Sequence, residues 1–145
     1  MQHPAQVIAL CGRNQDAIRQ VEEVGARSGR VLIKAVGYTT DVDEYMAASD
    51  ILLGKPGGLT TSEALARGLV FVIVNPIPGQ EERNSDHLLE EGVAIRCNNL
   101  PALAYKIDRL LDDPERLERM SRNVARLARP RAAYDIIFKL LSLAG

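Results

Sequence analysis

Apolar positions along the chain follow two alternating rhythms. Short runs rich in Val, Ile and Leu occur at QVIALC (6–11), RVLIKAV (30–36), DILLGK (50–55), LVFVIV (69–74) and VAIR (93–96), and read as strands. Between them, apolar residues recur at helical spacing. Ala17, Ile18, Val21 and Val24 lie within 14–28, and Val42, Tyr45 and Met46 within 41–48. Further helices are predicted over 59–67 and near 85–91. LVFVIV is apolar on both faces, as a central strand of a parallel sheet must be. From Asn99 onward the pattern is helical. Pro114 fits the first turn of a helix after Asp113, and Pro130 splits the last helical stretch. Strict β-α alternation predicts an α/β fold, an open doubly wound parallel sheet over about 1–97 with a helical tail over 98–145, in one domain spanning 1–145. Ligands of such sheets bind beyond the carboxyl ends of the strands. That rule selects the loops 12–14, 37–41, 54–61 and 75–84.

Composition narrows the function classes. The 145 residues suit one core, and 46% hydrophobic with 26% charged residues suits an ordered globular chain. A formal net charge of -1 gives no electrostatic footprint for nucleic acid. The longest apolar run, Leu69 to Val74, is far too short to span a bilayer. MQHPAQVIALCG has neither the basic start nor the apolar stretch of a signal peptide. Cys11 and Cys97 end apolar segments and read as free thiols of a reducing compartment.

The chemistry gathers in the four loops. Gly57 and Gly58 remove Cβ atoms where backbone N–H groups can approach an anion at a helix N-terminus, yet paired glycines also serve a sharp turn. Neither a P-loop nor a GxGxxG fingerprint is present. Thr60 to Glu63 reads as a capping box, with Glu63 reaching back to the Thr60 N–H. Glu63 could equally accept hydrogen bonds from ribose hydroxyls; by local rules the cap is favoured. Arg13 can meet a diphosphate bidentately, while Asn14 beside it is expected to cap the following helix. Asp41 and Asp43 form a DxD at a helix start, where capping and dipole complementation explain them without a metal. His87 stands alone in a predicted helix. The stretch 75–84 is long for a βα loop and supplies Gln80, Glu81 and Asn84, donors and acceptors suited to sugar hydroxyls or to a solvated turn. Arg119, Arg122, Arg126 and Arg129 line one face of a helix. That face is expected to be solvated, with contact to an anionic membrane surface as the alternative.

Together, PGGLTTSEALARG and, one strand later, NPIPGQEERN resemble the C-terminal, Rossmann-like half of the GT-B glycosyltransferases. The likeness is to the group holding monogalactosyldiacylglycerol synthase, the processive diacylglycerol glucosyltransferases and the peptidoglycan N-acetylglucosaminyltransferase. GRN after the first strand and GYTTDVDEYMAASD before the third fit the same layout. The resemblance covers about 7–97 closely and the helical tail more loosely. Val70-Phe71 departs from it, since the group usually has proline there.

The resemblance implies a UDP-sugar donor site and no metal or other cofactor. The uracil would lie on the 37–42 loop, with backbone hydrogen bonds at Thr39 and packing from Tyr38 or Val42. Gly57, Gly58, Thr60 and Thr61 would hold the diphosphate, with Gly12-Arg13 helping to neutralise it. Glu63 would take the ribose hydroxyls, against the local reading. Gln80, Glu81 and Asn84 would contact the sugar. The group inverts the anomeric centre, and its acceptor site and catalytic base lie on an N-terminal half absent from these 145 residues. The chain alone is therefore expected to bind donor without turnover, and the whole enzyme to transfer a hexose to a lipid such as diacylglycerol. The expected location is cytoplasmic, peripheral on the inner face of the cell membrane. Alternatives are half of a UDP-sugar 2-epimerase and a non-catalytic module that senses nucleotide sugars.

Overall fold

The computed structural model describes residues 1–144. Five strands alternate with helices: β1 Ala5–Gly12, α1 Gln15–Arg27, β2 Val31–Gly37, α2 Val42–Ala47, β3 Ile51–Gly54, α3 Gly58–Ala66, β4 Val70–Ile73, α4 Gln80–Glu90 and β5 Ala94–Arg96. A 3-10 turn, Leu100–Ala102, leads into α5 Leu103–Leu111, α6 Pro114–Leu127 and α7 Ala132–Ala144.

Every strand pair is parallel, so within each ladder the β-to-α loops open on one rim, and a cleft shared by Thr40, Val42 and Glu63 brings the two rims together. The hydrogen bonding forms two ladders rather than one continuous sheet. β1 pairs with β2, while β4 lies between β3 and β5. Burial divides the same way. All four residues of β4 are buried, and Phe71, Ile73, Leu88, Leu110 and Val124 pack about them from the strand itself, α4, α5 and α6. β1, α1 and β2 contain no fully buried residue. α1 nevertheless lies tightly on β2, because a Cβ on Gly25 would stand 2.9 Å from the Ile33 carbonyl oxygen.

The chain leading into β1 is tied to α5. Both carboxylate oxygens of the buried Asp108 accept from the Gln2 N–H at 2.9 Å, and His3 Nε2 lies 2.7 Å from Asp112 Oδ1. Burial pushes the Asp108 carboxyl upward. The Gln2 and His3 N–H groups, with the positive charges of the amino terminus and His3, outweigh it and hold the carboxyl below its ordinary value.

Local rules locate several boundaries. Asn14 caps α1, accepting from the Ala17 N–H at 3.0 Å, and Asp113 caps α6, accepting from Arg116 at 2.9 Å with Pro114 in the first turn. Pro130 sits between α6 and α7. Two starts differ from expectation. α3 begins at Gly58 with Gly57 as its N-cap, so Thr60 is inside the helix and the Thr60–Glu63 capping box does not form. α4 begins at Gln80, because Gly79 takes φ 106°, a left-handed conformation open to glycine, and turns the chain into the helix at once. The expected long loop is therefore only 74–79. α7 leaves most of its large apolar side chains exposed, from Tyr134 to Leu143. Among the described residues, no helix is long and apolar enough to cross a membrane.

Candidate functional site

The rim at the carboxyl ends of the strands carries three linked groupings. At the end of β1, Gly12 (φ 57°) turns the chain so that the Arg13 guanidinium lies 4.8 Å from the centroid of the Tyr38 ring, just past β2. Gly12 and Gly37 are register partners, which brings these two loops side by side. The next residues fold on themselves. The Asp41 N–H donates to Thr39 Oγ1 at 3.0 Å, and the Thr39 and Thr40 hydroxyls donate to the Asp41 carboxylate. Asp41 stands at the N-cap of α2 but makes no side-chain cap, contrary to the expectation that it would.

The second grouping joins the starts of α3 and α4. The first intrahelical bond of α3 runs from the Thr61 N–H to the Gly57 carbonyl at 2.8 Å. The N–H groups of Gly58, Leu59 and Thr60 consequently have no acceptor inside the helix. Thr61 Oγ1 is buried without a hydrogen-bond partner, as is Ser85 Oγ. Asn84 Nδ2 donates to the Pro56 carbonyl at 2.8 Å, fixing α4 to the turn before α3. A Cβ on Gly58 would stand 3.3 Å from Gln80 Nε2, so the start of α3 and the Gln80 amide are close neighbours. Glu81 Oε2 accepts from the Ile77 N–H at 2.7 Å, closing the 74–79 loop. Two helix N-termini, each with positive polarity, thus meet at one point of the rim.

The third grouping is an open cleft of about 420 Å³ between α2 and α3, bordered by the segment joining α6 to α7. Val42, Thr40 and Met46 line one side, Glu63, Ala66 and Arg67 the other, and Pro130 the edge. The Glu63 backbone carbonyl accepts from the Arg67 N–H at 3.0 Å, while its carboxylate makes no hydrogen bond or ion pair among the described residues. Arg67 instead pairs with Asp43 across the cleft at 3.1 Å.

The structure thus brings Arg13 to Tyr38, Val42 to Glu63, and Gly58 to Gln80. Thr39 is occupied with Asp41, and Asn84 and Glu81 each hold backbone of the rim. Pro56, Arg67 and Pro130 are not among the site residues expected from the sequence. Pro56 stands inside GKPGG and was open to notice; Arg67 and Pro130 reach the cleft through tertiary contacts that no local pattern reports. No group of three His, Cys, Asp or Glu residues that could hold a metal occurs among the described residues. His87 is exposed on α4. On α6, Arg119 and Arg122 pair with Glu115 and Glu118 one turn earlier, and Arg126 with Glu91. Arg129 donates to the Arg126, Leu127 and Ala128 carbonyls that end the helix.

The family described as Glycosyl transferases group 1 matches residues 1–127, most of the chain. The chain belongs to that family. The processive diacylglycerol beta-glucosyltransferase of Staphylococcus saprophyticus is 34% identical over 139 residues, covering 96% of this chain and 35% of that protein. The probable chloroplastic monogalactosyldiacylglycerol synthase 3 of Oryza sativa subsp. japonica is 32% identical over 133 residues, covering 91% of this chain and 26% of the relative. Among solved structures, MurG of Acinetobacter baumannii superposes with a TM-score of 0.80 at 19% identity, over 98% of this chain and 42% of that one. The chain therefore shares its α/β fold with MurG, and spans about a third of the length of the diacylglycerol glucosyltransferase it matches.

Proposed function

We propose that this chain binds the nucleotide-sugar donor, a UDP-hexose, for an inverting glycosyltransferase that acts on a lipid acceptor such as diacylglycerol. The observation that carries this reading is the start of α3 at Gly58. It leaves three first-turn N–H groups without helix acceptors beside the N-terminus of α4, and it releases Glu63 from capping. Diphosphate oxygens would accept from those N–H groups and from Thr60 and Thr61, with the Arg13 guanidinium adding charge. The nucleoside would enter the cleft of Val42 and Glu63, its base against the 37–42 loop and its ribose hydroxyls on the free carboxylate. Gln80, next to Gly58, would meet the hexose.

Transfer with inversion requires the acceptor oxygen to form a bond to the anomeric carbon as the bond from that carbon to the diphosphate oxygen breaks. Negative charge then grows on the departing UDP. Two helix N-termini and a guanidinium around it stabilise that charge without a metal. A base for the acceptor hydroxyl would come from the part of the enzyme matched by the remaining length of its relatives. The enzyme would work in the cytoplasm, peripheral to the membrane that holds its acceptor. The α6 arginines support a membrane contact only weakly, since Arg119, Arg122 and Arg126 have carboxylate partners and Arg129 caps carbonyls.

Titration calorimetry with UDP tests the reading. Replacing Glu63 by Ala should weaken UDP binding about tenfold or more, the loss of hydrogen bonds to a charged acceptor. A folded wild-type chain that binds no UDP would end the proposal.

A further inference from the structure

Glu63 lies in α3 and Arg67, four residues on, is the C-cap of that helix, its N–H still bonded to the Glu63 carbonyl; the acid is toward the N-terminus, the order in which such side chains pair most favourably one turn apart. They also share one cleft. Yet the Glu63 carboxylate has no partner among the described residues, and Arg67 turns instead to Asp43 at 3.1 Å. Asp43 is itself held in place by the first turn of α2, where a carboxylate complements the helix dipole.

We infer that Asp43 is a positioning residue that draws Arg67 away from Glu63 and so keeps the Glu63 carboxylate free for ligand hydroxyls. The inference rests on the donor-binding reading above. Without Asp43, the Arg67 guanidinium would swing to the carboxylate one turn before it, occupying acceptor sites that the ribose needs. The cleft would keep its shape while its hydrogen-bonding capacity changed. Asp43 needs no contact with the ligand for this effect.

The test measures binding of UDP and of 2′,3′-dideoxy-UDP to the 145-residue chain. The ratio of the two affinities reads the hydroxyl contact and is insensitive to general damage. Wild type is expected to prefer UDP. Asp43→Asn should lower that preference about two- to threefold, the scale of one helical acid–base pair on a half-exposed surface. Arg67→Gln alone should retain the preference, and Asp43→Asn with Arg67→Gln should restore it. An unchanged ratio in Asp43→Asn, or a double variant that fails to recover, overturns the inference while leaving the donor reading intact. A wild-type ratio of one removes the ribose contact and this inference together.

Discussion

The β1–α1–β2 unit and the β3–β4–β5 ladder are both parallel and both feed the same rim, yet they are built differently. The ladder has a strand with all four residues buried, covered by helices from later in the chain. The unit has no fully buried residue and depends on local closeness, above all the approach of Gly25 to the Ile33 carbonyl. No hydrogen-bonded ladder joins the two among the described residues. The ladder therefore carries most of the hydrophobic stabilisation and supplies the α3 and α4 N-termini. The unit supplies Arg13 and Tyr38 from a less deeply packed support. Stability and the candidate ligand-contacting residues are distributed unequally across one rim.

The strongest way to break that contrast is Phe71→Ala. Phe71 is 1% exposed in the central strand, and its truncation should cost about 3–5 kcal/mol in urea unfolding. A loss below about 1 kcal/mol would mean that the ladder is not the main core. In the other unit, Gly25→Ala should cost about 1–3 kcal/mol, because the added methyl meets backbone that cannot turn aside as a side chain would. A neutral result would show that α1 can lift off β2 freely. The smallest effect concerns the tie between the units. The folded Asp108 carboxyl is held below its ordinary value of 3.8, so its contribution is full above that value and is lost as pH falls through the depressed folded one. The difference in urea midpoint between wild type and Asp108→Asn should be smaller at pH 3 than at pH 7. Parallel midpoints at both would remove Asp108 from the pH dependence.

Much of the architecture was legible because strand and helix periods are local. Asn14, Asp113 and Pro114 announced their helix starts by side-chain chemistry alone. The pattern places α3 within a residue of its observed start, but its cap was misread because TTSE carries a strong capping signal. The tertiary bond from Asn84 to Pro56 instead accompanies a helix that begins two residues earlier than Thr60. The α4 start was misread because GQEERN is polar throughout its first turn, and polarity there looks like loop. Which strands share a ladder was not legible either, since periodicity says what a strand buries and nothing about its neighbours. The Asp43–Arg67 pair spans 24 positions and leaves no local trace.

The bond from Asn84 to Pro56 has a thermodynamic consequence for any ligand of the rim. It sets the two helix starts relative to each other before anything binds, so the ordering entropy is charged to folding rather than to association. An anion arriving there meets dipoles already aimed at it, and little of its attraction is spent on rearranging them. Asn84 would then govern affinity through the rigidity of an empty site.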